Sequence, residues 1–229
     1  MPVKDAAIKE AITAAIGTSR KGRNKVIRLV QKRNPELGSS RIRRVYEQYG
    51  FSLYKKLKKR VCTNPSNPII IPTNKNEEWA IDFMSDALTD GRKIRTLNVI
   101  DEYNRYCLGI GIRHNYPAIR VIEYMNQLIE KHGKPARIRT DNGPEFISKA
   151  FQNWMFENEI EWAKIPKGRP DQNAIIERFN RTYREDILDA NLLFSIPSAQ
   201  ELTDKWLEEY NNNRPHQSLG FQTPSTYAA

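Results

Sequence analysis

The sequence predicts a small, basic, all-α region followed by a mixed α/β domain, in which helices flank both faces of a five-stranded sheet. The first 60 residues carry 17 Lys and Arg against 4 Asp and Glu, a net charge of +13, whereas the remaining residues carry −3. A stretch rich in proline and asparagine separates these two regions. Beyond it, strand-like segments come first in pairs and then alternate with helical ones. These three observations together define the expected fold class.

Residues 1–60 are predicted to form short helices with a basic exterior. Apolar residues recur at helical spacing within 6–16 and again within 26–30. A third helix follows Gly38-Ser39-Ser40, where a serine can cap the helix start, and Gly50 ends it, after which Ser52-Leu53-Tyr54-Lys55 begins another. Two short helices joined by a glycine-containing turn resemble a helix-turn-helix. A small helical bundle with a basic exterior gives the same pattern.

From residue 77 onward the patterns predict five strands and four helices. The predicted strands are 78–84, 92–100, 105–112, 136–140 and 160–165, and the predicted helices are 116–132, 146–157, 173–188 and 199–210. Asp90-Gly91 is a tight-turn signal, so the first three strands can form an antiparallel meander. We expect four parts: a basic helical DNA-binding region (1–60), an extended linker (61–76), a catalytic core (77–190), and a C-terminal helix and tail packed on that core (191–229).

Three acidic residues have local contexts typical of metal-dependent phosphoryl transfer. Asp82 lies within an apolar strand, Asp141 follows another strand and opens the turn Asn142-Gly143-Pro144, and 35 residues separate Asp141 from Glu177, which lies on a helix. Carboxylates at strand ends and on an adjoining helix can hold two divalent cations about 3.5–4 Å apart. Mg²⁺ prefers such hard oxygen ligands. The pattern therefore predicts a nuclease or a strand-transfer enzyme.

Each of these acids taken alone has an ordinary structural explanation. Asp141 alone is a routine turn residue, and Glu177 alone is a helix-surface charge. Asp82 differs because Trp79 and Phe83 predict a buried setting, where an unpaired carboxylate is costly. The three acids together carry the prediction.

The helix around Glu177 strengthens this interpretation. Asn173, Glu177 and Arg184 fall at i, i+4 and i+11 along one side of a helix, and Arg181 lies near the same stripe. A neighbouring apolar stripe would pack on the sheet, which puts Glu177 at the border between core and solvent. From there, Arg184 could contact a phosphate near the scissile bond.

Four segments form a recognisable combination. They are Trp79-Ala80-Ile81-Asp82, Thr140-Asp141-Asn142-Gly143-Pro144-Glu145-Phe146, Asn173-Ala174-Ile175-Ile176-Glu177-Arg178-Phe179-Asn180, and Tyr210-Asn211-Asn212-Asn213-Arg214-Pro215-His216-Gln217-Ser218-Leu219-Gly220. Together they resemble bacterial insertion-sequence transposases of the catalytic OrfB type, which have a retroviral-integrase-like core. The resemblance covers most of residues 77–229. It implies a ribonuclease-H-like fold and a DDE strand transferase in which Asp82, Asp141 and Glu177 are the catalytic residues and hold two Mg²⁺ or Mn²⁺ ions.

The resemblance also implies the partners of the chain. They are the DNA of the element ends, the target DNA, further copies of the chain in a multimer on DNA, and a recognition protein encoded upstream, fused or separate. Zinc is not expected, because three His and two distant Cys cannot form the His2Cys2 module that precedes related cores. Neither a signal peptide nor a membrane-spanning run is visible, so we expect a cytoplasmic bacterial protein that joins the nucleoid when bound to DNA.

The residues expected to contact DNA form two groups. Those on the Glu177 helix are Asn173, Arg178, Arg181 and Arg184, and those in the basic region are Arg41, Arg43, Arg44, Lys55, Lys56, Lys58 and Lys59. Two alternatives stay open at this point. A DNA-binding protein with a catalytically inert integrase-like body would show salt-sensitive binding without metal-dependent chemistry. A hydrolytic nuclease of the same fold would differ only in using water as the nucleophile.

Overall fold

Three helices come first along the chain, and a five-stranded sheet with interspersed helices follows. A computed structural model describes residues 3–17, 22–51, 72–166 and 170–227. The helices are α1 (Val3–Ile16), α2 (Arg23–Arg33), α3 (Ser39–Gln48), α4 (Ala118–His132), α5 (Lys149–Glu157), α6 (Ala174–Tyr183), α7 (Ile196–Asn212) and α8 (Pro224–Tyr227), and the strands are β1 (Glu78–Ala87), β2 (Lys93–Asp101), β3 (Cys107–Arg113), β4 (Arg137–Thr140) and β5 (Glu161–Lys164). Contacts divide these elements into two units, one made of α1–α3 with the segment Arg214–Thr223 and the other made of the remaining elements.

The first unit is built around the apolar stripes of its three helices. Ile12 of α1, Val26 of α2 and Ile42 of α3 are all fully buried and belong to one hydrophobic cluster. Helices this short are marginally stable alone. Their apolar residues recur at helical spacing, so the helices are stabilised by packing these residues against one another. The helices predicted within residues 1–50 are confirmed, whereas a further helix expected from residue 52 lies outside the described residues.

The sheet of the second unit has the strand order β3-β2-β1-β4-β5. The β1–β2 and β2–β3 pairs are antiparallel, and the β1–β4 and β4–β5 pairs are parallel. Gly91 adopts a φ of +84° in the turn between β1 and β2, which a glycine allows without steric cost. The mixed five-stranded sheet predicted from the sequence is therefore confirmed.

Strand alternation gives the sheet two buried faces. Trp79 and Ile81 of β1 pack into a hydrophobic cluster with residues of α4 and α5. Ala80 and Met84 point the other way and pack with residues of α6 and α7. Because Asp82 lies between Ala80 and Met84 at period two, its side chain emerges on the α6 face.

Side chains of α7 cover the outer edge of β3. The Asn211 amide accepts a hydrogen bond from the main-chain N–H of Cys107 and donates one to its carbonyl, both at 2.9 Å. Gln200 does the same further along, accepting from Ile112 N–H at 3.0 Å and donating to the Ile110 carbonyl at 2.8 Å. Main-chain groups that would otherwise lack partners at the end of the sheet are thereby satisfied.

With 17 residues, α7 is the longest helix of the described ranges. Its start is fixed by a capping box in which Ser195 and Ser198 exchange hydrogen bonds. Like every other described helix, it lacks the combination of length and apolarity that is needed to cross a bilayer.

Candidate active site

The pairing of β1 with β4 places two of the predicted acids next to each other. These strands run parallel with Trp79 opposite Ile138 and Ala80 opposite Arg139. Continuing the register by two residues brings Asp82 level with Asp141, one residue past the end of β4. Both acids then lie at the same edge of the sheet, where open α/β sheets bind their ligands.

Hydrogen bonds orient both oxygens of the Asp82 carboxylate. Phe83 N–H donates to Oδ1 at 2.9 Å, and the Asn180 amide of α6 donates to Oδ2 at 2.7 Å. The Asn180 Oδ1 in turn accepts from the Asn98 amide of β2 at 2.7 Å. Since Asn98 and Asn180 are both buried, this chain of amides ties β1, β2 and α6 together at the site.

The Asp82 carboxyl has an unusual electrostatic setting. Its pKa is raised to about 6, chiefly by burial and also by the negative charges of Asp141 and Glu177, against the opposing effect of the hydrogen bonds from Phe83 and Asn180. Like charges and desolvation both penalise the ionised form. Asp141 and Glu177 are thus close enough to Asp82 to affect its ionisation.

Asp141 is exposed and begins a tight turn. Its Oδ1 accepts a hydrogen bond from Gly143 N–H at 2.8 Å, as in an Asx turn. A Cβ on Gly143 would lie 3.1 Å from that same oxygen, which is closer than ordinary packing allows. Glycine at this position therefore leaves room for the Asp141 carboxylate.

Glu177 is carried by α6, which packs on the sheet through its apolar stripe. Ile176 and Phe179 are buried in the hydrophobic cluster of this face, and Glu177 is exposed beside them. The sequence prediction of one continuous helix over 173–188 is wrong in detail. Asn173 ends a 3-10 turn, and Arg184 opens a π-helical turn, so the predicted stripe spans three kinds of turn.

A buried arginine holds the residue that precedes this helix. The Arg139 guanidinium donates to the Gln172 carbonyl at 2.7 Å, immediately before Asn173. The same guanidinium forms an ion pair with the Glu78 carboxylate, which is fully buried. Strand β4 is thereby tied to the segment that leads into α6, the helix that carries Glu177.

The arginines predicted to contact DNA on this face have different surroundings. Arg178 and Arg181 are exposed on α6. Arg184 donates to Asp86 Oδ2 and to the Ser85 carbonyl, both at 2.9 Å, and lies 3.6 Å from Asp189. Its guanidinium therefore has protein partners on β1 already. Asn173 is buried, and its Oδ1 accepts no hydrogen bond from the described residues.

In the helical unit, two of the predicted arginines share an acidic partner. The Asp5 carboxylate of α1 is almost completely buried and accepts two hydrogen bonds from Arg44 of α3, at 2.9 and 3.0 Å. Arg41 lies 3.9 Å from the same carboxylate, while Arg43 is exposed. The four predicted lysines, Lys55, Lys56, Lys58 and Lys59, lie outside the described residues.

The three acids have the chemistry that a hard divalent cation requires, but their side chains do not form a metal-binding cluster in this structure. Among the described residues, no three His, Cys, Asp or Glu side chains lie close enough together to hold a metal ion. Carboxylate oxygens are nevertheless the ligands that Mg²⁺ and Mn²⁺ prefer. The mutual repulsion that raises the pKa of Asp82 is also the interaction that a bound cation would relieve.

Asn98 and Asn180 are the residues of this site to which the sequence analysis gave no role. Asn180 follows Glu177 by three positions and Asn173 by seven, so it belongs to the same side of the helix. This spacing is the feature of the sequence that indicates that Asn180 faces the acids. Asn98 offered no such sign, because it lies opposite Asp82 only through the β1–β2 register.

Family models match most of the sheet-containing part of the chain. Two models described as integrase core domain match residues 72–170 and 158–224. The two matches overlap and together include all three acids.

Similar curated proteins include two that are encoded by insertion elements. The insertion element IS407 uncharacterized 31.7 kDa protein of Burkholderia multivorans is 31% identical over 201 residues, which cover 88% of this chain and 73% of the relative. The insertion element IS476 uncharacterized 39.2 kDa protein of Xanthomonas euvesicatoria is 33% identical over 201 residues, which cover 88% of this chain and 58% of the relative. The chain thus spans little more than half the length of the second relative.

Solved structures with the same fold are viral integrases. The catalytic core domain of HTLV-2 integrase, in complex with magnesium and in a dimeric form, has a TM-score of 0.53 at 21% identity, covering 68% of this chain and 98% of that one. A chain of the simian T-cell lymphotropic virus intasome, in complex with PP2A regulatory subunit B56 gamma, has a TM-score of 0.61 at 15% identity, covering 91% of this chain and 70% of that one. At these identities the likeness concerns the fold, which is ribonuclease-H-like.

Proposed function

The chain belongs to the bacterial insertion-sequence transposases whose core is of the retroviral integrase type, and we propose that it cleaves the ends of an insertion element and transfers the freed 3′-hydroxyl strand to DNA. One observation carries the proposal. The pKa of the half-buried Asp82 is raised to about 6 by burial and, to a smaller extent, by the negative charges of Asp141 and Glu177, so both of these acids lie close enough to Asp82 to affect its ionisation. Carboxylates grouped at strand ends are suited to phosphoryl transfer with divalent cations.

The expected cofactors are two Mg²⁺ or Mn²⁺ ions, held by Asp82, Asp141 and Glu177. Such ions, when bound, supply charge stabilisation for the attacking and leaving oxygens of an in-line displacement. The HTLV-2 integrase core, which shares the fold, is described in complex with magnesium. The donor atoms available here are carboxylate oxygens alone, which favours a hard cation over zinc.

The protein's own groups have the task of orienting the acids and the DNA. Asn180 and the Phe83 N–H hold the two oxygens of Asp82, and the Gly143 N–H holds Asp141. Exposed Arg178 and Arg181, beside Glu177, are suited to contact phosphates and thereby fix the register of the strand. Orientation of this kind can supply a large part of the rate enhancement.

The basic helical region is the proposed second DNA contact. Residues 1–60 carry a net charge of +13, which favours binding to the phosphate backbone. Transfer at two element ends requires that both be held together, so we propose a multimer on DNA. A recognition protein encoded upstream, fused or separate, completes the proposed set of partners, and the reaction would take place in the bacterial cytoplasm.

A strand-transfer assay tests this function. Labelled duplexes copied from the ends of the element that encodes the chain are incubated with the protein and Mg²⁺ or Mn²⁺. We expect cleavage and joining by the wild type, and loss of both, with DNA binding retained, in Asp82→Asn, Asp141→Asn and Glu177→Gln. Glu157→Gln, which alters an exposed carboxylate on α5, is the matched control and should behave as the wild type does.

Each contrary result has a distinct meaning. Unchanged cleavage by the three acid variants would refute the assignment of the acids. DNA binding by the wild type without any metal-dependent cleavage would indicate an inert integrase-like body. Cleavage without joining, even with an added 3′-hydroxyl end, would indicate a hydrolytic nuclease.

A further inference from the structure

We infer that Arg95 and Glu145 form a positioning pair that fixes the turn carrying Asp141, one of the three acids proposed to hold a divalent cation. The inference rests on the proposed function, because it concerns the same acids. Glu145 lies within the segment 140–146 that was singled out in the sequence, but neither the proposed chemistry nor the predicted DNA contacts use it. The structure gives it one strong partner, the Arg95 guanidinium of β2.

The pair joins three neighbouring segments. The Arg95 guanidinium donates to the Glu145 carboxylate and lies over the ring of Phe83, 4.1 Å from its centroid. Phe83 directly follows Asp82 in β1, and its ring stacks on that of Phe146 at a centroid distance of 5.3 Å. The turn after β4 is therefore joined to β2 by the ion pair and to β1 by the aromatic stack, and the cation–π contact joins β2 to β1.

Gly143 couples this fastening to Asp141. A Cβ on Gly143 would lie 3.1 Å from Asp141 Oδ1 and 3.3 Å from Glu145 Oε2, so the two carboxylates flank the same glycine. A displacement of Glu145 therefore moves the backbone on which the Asp141 carboxylate is held. Arg95 also balances the charge of Glu145, which would otherwise add a fourth negative charge near the three acids.

The environment of the pair makes it more than a surface contact. The Glu145 side chain is only 12% exposed and the Arg95 side chain 30% exposed. Solvent screening is reduced at such positions, and the guanidinium is fixed by the Phe83 ring beneath it. By contrast, the neighbouring Arg92–Asp90 pair is 61% and 45% exposed and is expected to contribute little.

Calorimetric titration of the full chain with Mn²⁺, in the absence of DNA, tests the inference. Arg95→Met removes the charge but keeps an unbranched side chain above Phe83, and Glu145→Gln removes the charge without changing size. We expect each variant to bind Mn²⁺ about tenfold more weakly, as is usual when a group that orients a metal ligand is lost. The double variant should be no weaker than either single variant, because the two residues act as one unit. Arg92→Ala is the matched control and should bind as the wild type does.

The sign of the Arg95→Met effect separates positioning from simple electrostatics. Removing a positive charge near the acids would by itself strengthen cation binding, and the double variant, which conserves net charge, would then resemble the wild type. Stronger or unchanged Mn²⁺ binding by Arg95→Met would therefore overturn the inference. A loss of Mn²⁺ affinity that Glu145→Gln causes but Arg95→Met does not, and that is equally large with Arg95 or Met at position 95, would also overturn the inference. Glu145 would then be a ligand of the cation in its own right. If Asp82→Asn bound Mn²⁺ as tightly as the wild type, the proposed function would fail instead.

Discussion

The side-chain amide of Asn180 lies 2.7 Å from Oδ2 of Asp82, so helix α6 and strand β1 are joined by a hydrogen bond at the proposed reaction centre. The same helix carries Glu177, one turn earlier. A single side chain therefore fixes the distance between the strand that carries one acid and the helix that carries another. Because the Asn180 Oδ1 also accepts a hydrogen bond from the Asn98 amide, the orientation of the Asn180 amide is fixed.

Asn180→Ala should reduce both stability and activity. The substitution leaves the buried Asn98 amide without its acceptor, which costs about 1–3 kcal/mol in the free energy of unfolding. It also releases one oxygen of Asp82, and strand transfer should fall about 10- to 100-fold. Urea unfolding and the transfer assay measure the two effects. Thr182→Ala, on the same helix, should leave both unchanged, and an Asn180→Ala protein with full activity would contradict the positioning role.

Asp82→Asn should remove the pH dependence that the Asp82 carboxyl gives to the stability of the metal-free protein. The folded-state pKa of Asp82 is about 6, above its ordinary value of about 3.9, so ionisation opposes folding. The native state holds its proton over this window while the unfolded state loses it, and stability falls as pH rises from about 4 to 6. We expect a gain in stability relative to the wild type that grows by about 1–3 kcal/mol between pH 4 and pH 8, in addition to a pH-independent cost of losing one of the two hydrogen bonds to the carboxylate.

Urea unfolding in EDTA at pH 5, 6 and 8 measures this gain. Asp141→Asn is the comparison, because it removes an exposed carboxylate from the same group of acids and should change stability less. A gain that is constant with pH would show that something other than the Asp82 charge is responsible.

Gly143→Ala should lower activity while leaving the fold intact. The new methyl group would lie 3.1 Å from Asp141 Oδ1, so the carboxylate or the turn must shift. We expect a loss of strand transfer of about tenfold or more, since small displacements of reacting groups are costly. Circular dichroism should show an unchanged fold. Gly22→Ala, which meets no atom within 4 Å, is the control substitution and should be silent in the assay.

Arg184→Ala and Asp86→Ala should have similar effects on stability but different effects on DNA binding. Their ion pair is partly exposed, so each substitution should cost no more than about 1 kcal/mol in the free energy of unfolding. Only Arg184→Ala should reduce the salt dependence of DNA binding, by about one unit in the slope of log affinity against log salt. Identical salt slopes for both variants would mean that Arg184 has a purely structural role.

Features with a local cause could be predicted from the sequence. Strand alternation and the Asp90-Gly91 turn are local, so the strands were placed within a few residues, although β1 extends to Ala87 rather than ending at 84. Asp141 could be placed at a strand end because its turn residues follow directly. The parallel direction of β1 and β4 has a topological reason: two antiparallel pairings make β3 parallel to β1, and the crossover through α4 keeps that direction in β4.

Contacts between distant residues could not be predicted in this way. Asn98 and Asn180 are separated by 82 positions, and Arg95 and Glu145 by 50. No periodicity identifies such pairs, because they meet only through the strand register and the packing of α6. The break at Arg184 was missed for a related reason, since the apolar spacing of 173–188 fits a continuous α-helix as well as one that widens into a π turn.

The side-chain amides of Gln200 and Asn211, which cover the outer edge of β3, limit how copies of the chain can assemble. A strand donated by another molecule needs free main-chain donors and acceptors, and these are occupied at both positions. A multimer on DNA must therefore be built without extending the sheet through β3. At this edge, the same occupied groups also block the open-ended addition of strands that leads to fibres.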